Sequence, residues 1–185
     1  MKKTLVIIAG LVALQLSACK SDDKTELEAT LTLKTWEVGN PEIIYGATKT
    51  VFYEQEPIAF DMKLTNKGFQ TERVEFGSCG FDVIEIYDEN DVKVYDSRQA
   101  PIGCSATWNI EVVYTGETIG TPTLWDQELF LIDAEGGEIG GLGEYLQPGD
   151  YTVTGYASVK LGSSEADWTI IPLPKEYSLT IEASQ

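Results

Sequence analysis

The sequence predicts an all-β, antiparallel sandwich, and three observations carry that expectation. Apolar and polar residues alternate with a period of two in segment after segment, the pattern of strands with one buried face. These segments are short and are punctuated by Asn, Asp, Gly and Pro turns such as Asn66-Lys67-Gly68 and Pro148-Gly149-Asp150. Beyond the first eighteen residues no stretch sustains the 3.6-residue period of an amphipathic helix.

Taken in order, the chain opens on an export leader. Lys2 and Lys3 precede an apolar run over residues 5–16, and Leu16-Ser17-Ala18-Cys19 follows. A charged start, a short apolar stretch and small residues at the cut define a signal peptide. The run is too short to span a bilayer, which needs about 20 residues. Small side chains at 17 and 18 followed by cysteine resemble the lipobox of bacterial lipoproteins. The resemblance implies cleavage before Cys19 and membrane lipid on its sulfur. Stable anchoring needs two acyl chains at about 0.8 kcal/mol per buried methylene, and a lipoprotein cysteine carries two or three. Lys20 stands where aspartate would signal inner-membrane retention. By Gram-negative sorting rules the expected address is the cell envelope, at the outer membrane. Residues 19–28, polar and charged, read as the lipidated cysteine and its tether, and residues 29–185 as one domain.

Within that domain Ile58, Phe60, Met62 and Leu64 alternate with polar partners. Val74 and Phe76 follow, then an aromatic and β-branched run over 81–87. Asp88-Glu89-Asn90-Asp91 turns it into Val92, Val94 and Tyr95, so 81–96 is a hairpin. Trp108, Ile110, Val112 and Tyr114 alternate in turn, Leu129 and Leu131 lie in a further run, and Tyr151, Val153, Gly155 and Ala157 follow Pro148-Gly149. Tyr177, Leu179 and Ile181 close the chain. Eight to ten such strands indicate a sandwich or barrel, an immunoglobulin-like sandwich first.

Composition narrows function. Removing residues 1–18 leaves 11 basic and 30 acidic residues, a formal charge of −19, which excludes the phosphate contacts that nucleic-acid binding rests on. There is no histidine, so imidazole acid–base chemistry, Ser-His-Asp triads and His-ligated zinc are excluded. Carboxylate-only hydrolysis stays open in principle, but the chain reads as a binding protein and not an enzyme, and it shows no cofactor motif. With Cys19 assigned to lipid, Cys79 and Cys104 remain. An oxidising compartment favours a disulfide between them, against two free thiols or a metal pair.

Residues 58–157 also resemble the BsuPI family of intracellular proteinase inhibitor domains. The resemblance rests on the strand at 58–65 running into Asn66-Lys67, Phe81-Asp82-Val83 leading to Val92-Lys93-Val94-Tyr95, Trp125-Asp126-Gln127, and Leu146-Gln147-Pro148-Gly149-Asp150-Tyr151 through Gly155. The family's tryptophan-and-serine segment after the hairpin is replaced here by Val94-Tyr95-Asp96-Ser97-Arg98. What the resemblance implies is an Ig-like fold and a protein partner, a protease in its most specific form; no reactive-site residue transfers. A structural or accessory envelope role is the alternative.

Candidate contact residues follow from composition. Gly136, Gly137, Gly140 and Gly141 fall in a glycine-rich stretch expected to be a loop, and Pro101 and Ile102 lie beside Cys104. Both suit a partner-binding loop. The acidic turn at 88–91 lacks the spaced ligands of a calcium loop and reads as a solvated hairpin tip. Trp36, Trp108, Trp125 and Trp168 read as core or sheet-edge residues before they read as a sugar platform.

Overall fold

Ile58, Phe60, Met62 and Leu64 share one face of a strand and are all sealed from solvent, as period-two alternation demands. The computed structural model describes residues 26–39, 42–99, 107–132, 138–163 and 165–184. The leader, Cys19, Pro101, Ile102, Cys104, Gly136 and Gly137 lie outside these residues.

The strands are β1 (Leu27–Val38), β2 (Ile43–Thr48), β3 (Val51–Tyr53), β4 (Ile58–Asn66), β5 (Glu72–Gly77), β6 (Asp82–Tyr87), β7 (Lys93–Asp96), β8 (Trp108–Val113), β9 (Thr118–Trp125), β10 (Glu128–Ile132), β11 (Glu138–Tyr145), β12 (Gly149–Leu161), β13 (Trp168–Pro172) and β14 (Tyr177–Glu182). One sheet runs β2-β1-β4-β9, antiparallel throughout. The other is built on β12. One edge of β12 carries β14 and then β13; the opposite edge carries β6 and then β5. β7 extends from β6, β8 from β5, and β3 lies parallel to β14. β10 and β11 form a separate hairpin.

This order is informative. β3, β14, β12, β6 and β7 face β1, β4 and β9, and an early strand runs parallel to the last one. That is the immunoglobulin-like division, with the C, F and G strands in one sheet and A, B and E in the other. The fold is an all-β, immunoglobulin-like antiparallel sandwich. Its interior joins both sheets through Phe60, Tyr95 and Trp125, whose ring centroids lie 6.2, 6.0 and 4.3 Å apart.

Two expectations need correction. Leu27 and Glu28, expected outside the domain, already pair with Asn66 and Thr65 in β1. The expected glycine-rich loop is in large part a strand: Gly140 and Gly141 sit in β11 opposite Leu131 and Phe130. Glycine has no side chain to display a two-residue period, yet its backbone pairs as any other does.

Gly155 marks the closest approach in the second sheet. A β-carbon there would fall on the Val83 carbonyl oxygen, well inside contact, with Ile84 backbone behind it. Backbone cannot swing aside as a side-chain tip can. We expect Gly155→Ala to cost about 2–3 kcal/mol, the upper range for overpacking, read as a lowered urea midpoint with unchanged slope. A wild-type midpoint would show that β6 and β12 can separate freely.

Candidate binding site

β6 holds the feature that sequence reading passed over. Val153, Gly155 and Ala157 of β12 point inward, and their partners are Ile86, Ile84 and Asp82. Asp82 therefore belongs to the apolar face. The signal was present in the sequence, as an acid two and four residues ahead of Ile84 and Ile86 on one strand face.

Just before Asp82 the sheet is interrupted. Glu75 pairs with Lys160 and Asp82 with Ala157, so four extra residues leave the sheet between β5 and β6. Gly80 closes this bulge at φ 98°, its amide donating to the Gly77 carbonyl, a conformation that glycine adopts without strain. The interruption opens a cavity of about 330 Å³. Asp82 and Thr123 line its inner side. Ser97, Arg98, Ser158 and Trp168 line the rest, together with the bulge.

The Thr123 hydroxyl, from the opposite sheet, donates to Asp82 Oδ2. Asp82 Oδ1 is buried without a hydrogen-bond partner. Burial pushes this carboxyl up to about 6, against the pull of the Thr123 hydroxyl and its own backbone amide, because desolvation penalises the charged form. Tyr95 stands nearby with its hydroxyl also buried and unpartnered. Burial first, and the carboxylates of Asp82, Asp96 and Asp126 after it, hold that phenol well above its usual range.

Arg98 forms the charged wall. Its Nε donates to Asp96 Oδ1 at 2.8 Å, its Nη2 to Glu85 Oε1 at 3.0 Å and its Nη1 to the Tyr156 hydroxyl at 3.1 Å. Lys93 reaches the same two carboxylates at 2.9 and 3.0 Å. Burial opposes ionisation of Asp96, but the Arg98 and Lys93 hydrogen bonds outweigh it and draw the carboxyl down to about 2. Arg98 is thus held by acids of its own hairpin.

A second feature lies on the outer face beside the cavity. Trp108, Ile110 and Val112 of β8, Tyr114 just beyond it, and Trp168 and Ile170 of β13 are each about half exposed or more. β8 is an edge strand paired only with β5 among the described residues. Trp108 and Trp168 lie 5.5 Å apart, with Lys160 over both rings at 5.4 and 5.6 Å. The alternation over 108–114 is thus real, but its apolar side faces solvent. The other two tryptophans are structural. Trp125 is buried with its Nε1 donating to the Glu128 carbonyl, and Trp36 is half buried, donating to the Trp125 carbonyl.

The remaining expected sites are placed as follows. At the acidic turn Asp88 Oδ1 accepts from the Asn90 and Val92 amides at 2.8 and 2.9 Å. The Val92 amide above all holds that carboxyl low, against slight desolvation. The carboxylate closes its own turn, and among the described residues no group of three acids or cysteines could hold a metal. Cys79 sits in the bulge on the cavity wall and is disulfide-bonded. The sulfur that completes the bond lies outside the described residues, so its pairing with Cys104 stays an expectation.

Fold and site together define an Ig-like domain with a cavity at an interruption in one sheet, a buried carboxyl on its wall, and an apolar strip beside it. No protein-family model matches the chain, and no curated protein does. Among solved structures it is similar to the ApaA protein of Bordetella pertussis, at 12% identity and a TM-score of 0.43, over 85% of this chain and 94% of that one. It is also similar to the C-terminal domain of Wzt, at 14% identity and a TM-score of 0.46, over 88% and 78% of the two chains. A third likeness, to a β-glucosidase from Listeria innocua, spans 82% of this chain but 16% of the enzyme, at 11% identity and a TM-score of 0.34.

Proposed function

We propose that this chain is a lipid-anchored envelope lipoprotein whose Ig-like domain works by binding an exported protein, with inhibition of a protease as its most specific form. The observation that supports the reading is the strip of Trp108, Ile110, Val112, Tyr114, Trp168 and Ile170 on and beside a sheet edge that no further strand covers among the described residues. Exposed contiguous apolar side chains rimmed by polar residues mark interaction surfaces on soluble domains. An edge strand offers unpaired backbone groups to an extended segment of a partner, with side-chain pockets beside it for specificity. The partner we assign is therefore an exported protein that presents an extended segment, as a protease presents its cleft walls. Anchoring rests on Cys19, whose lipid holds the domain at the outer membrane, and rigidity near the strip on a Cys79–Cys104 disulfide.

The test titrates the full chain, in nonionic micelles, against serine, cysteine and metalloproteases, following a small substrate. Saturable inhibition of one class is expected. The Trp108→Ala/Ile110→Asp variant should inhibit at least about tenfold more weakly, the loss of one modest hot spot. Unchanged potency in that variant would remove the strip from the mechanism. No inhibition by folded protein would leave the accessory envelope role. The disulfide has its own check: peptide mapping without reductant should join the Cys79 and Cys104 peptides. Closing that loop of about 25 residues stabilises by about 3 kcal/mol on the chain-entropy model.

A further inference from the structure

We propose that the cavity at the β5–β6 interruption is a receptor for a primary alkylammonium group, with Asp82 Oδ1 as its acceptor and the Trp168 indole against its stem. This goes beyond the protease reading and stands whether or not the apolar strip binds a protein.

Three observations carry it. The cavity, at about 330 Å³, falls at the small end of ligand pockets, which run from about 300 to 1,000 Å³. Its inner side presents a carboxylate oxygen that is buried and without any partner, a costly arrangement unless a donor completes it. Its walls offer an indole, from Trp168, beside the Ser158 hydroxyl, and an indole face attracts cations and covers aliphatic stems. Around it Asp82, Glu85 and Asp96 are balanced by Lys93, Arg98 and the Lys160 that lies over the Trp168 ring, so the open acceptor oxygen, and not net charge, selects the head group.

The choice of ligand class follows from what is already engaged. Thr123 donates to Asp82 Oδ2, and the Ser97 hydroxyl accepts from the Ile84 amide. Arg98 is tied to Asp96, Glu85 and Tyr156. A sugar, with hydroxyls all around its ring, would need several open partners at once. A carboxylate or phosphate would need Arg98 released and would meet Asp82 head on. An alkylammonium needs one strong acceptor at its head and an apolar wall for its stem, and this cavity supplies both. The group belongs either to a lysine side chain of a protein or to a free amine.

The probes are n-pentylammonium, its neutral analogue 1-pentanol, putrescine, Nα-acetyl-lysinamide and glucose. Each is titrated into the full chain in nonionic micelles, followed by tryptophan fluorescence. We expect saturable binding of n-pentylammonium, at least about tenfold weaker binding of 1-pentanol, and at least about tenfold weaker amine binding by Asp82→Asn. Trp168→Phe should bind the amine yet lose most of the fluorescence change. Tighter binding of the lysinamide than of putrescine assigns the site to a protein lysine, and the reverse to a free amine. Equal binding of alcohol and ammonium, binding unchanged in Asp82→Asn, response to glucose alone, or no response to any probe would each overturn the proposal. A cooperative thermal transition in Asp82→Asn separates loss of the site from loss of the fold.

Discussion

Phe60→Ala is expected to destabilise the domain by about 3–5 kcal/mol, the cost of truncating a buried aromatic. Phe60 is fully buried on the inner face of β4, opposite Thr123 on one side and Leu33 on the other. It lies between two further rings, Tyr95 from the second sheet and Trp125 from its own. Removing it empties the plane where the sheets meet, and rings held by their own strands cannot collapse into the space. Stacked aromatic pairs add about 0.5–1.5 kcal/mol beyond area, so two partners are disturbed at once. Against a typical total of about 5–15 kcal/mol, the variant should unfold at markedly lower urea. A loss below about 1 kcal/mol would mean that the interior repacks, in which case the aromatic group does not fix the spacing of the sheets.

Two of the three strands carrying this plane were legible, β4 and β7, since alternation at 58–65 and the hairpin at 81–96 are local signals; β9, which brings Trp125, was not. β1, β2, β3, β9, β11 and β13 were not read. β2 is exposed along its length and β11 is rich in glycine, so neither shows the contrast between faces that a period-two reading needs. The interruption between β5 and β6 was not legible at all. It is defined by register against β12, more than seventy residues away in sequence, and no local pattern encodes a non-local register.

The motif residues are instructive in a different way. Asn66 is fully buried; its Nδ2 donates to the Gln70 and Val113 carbonyls and its Oδ1 accepts from the Gly68 amide. Gln127 is fully buried as well; its Nε2 donates to the Tyr53 and Glu56 carbonyls and its Oε1 accepts from the Gln55 amide. Residues that carried the family resemblance are therefore fasteners of turns. A buried amide that satisfies three backbone groups is strongly specified by the fold. Such residues say much about architecture and nothing about a partner. Of the residues with functional promise, Asp82 falls in the Phe81-Asp82-Val83 segment of that resemblance, while the strip on β8 lies outside its motifs. Asp82 looked like an ordinary member of a strand, and alternation over 108–114 showed a stripe without showing which way it faced.

Asp82→Asn should change the pH dependence of stability in a sign-specific way. In the folded chain burial holds the Asp82 carboxyl near 6, against an ordinary value of 3.8. Between about pH 4 and 6 the native state therefore binds more protons than the unfolded chain, so this group lowers stability as pH rises through that window. Above 6 the penalty is fully developed. Asparagine keeps an acceptor for the Thr123 hydroxyl and removes the buried charge, although its amide meets the same lack of a partner. Asp82→Asn is then expected to be about 1–2 kcal/mol more stable than wild type at pH 7, with the difference vanishing by about pH 4. Asp96 acts in the opposite sense. Its carboxyl is drawn down to about 2 by Arg98 and Lys93, so its contribution is present above about pH 4 and lost as pH falls toward 2. Because Asp96 is common to both proteins, the difference between their urea midpoints from pH 4 to 7 isolates Asp82. Parallel curves would mean that the carboxyl is solvated and titrates normally. That result would also remove the unpartnered oxygen on which the alkylammonium site depends.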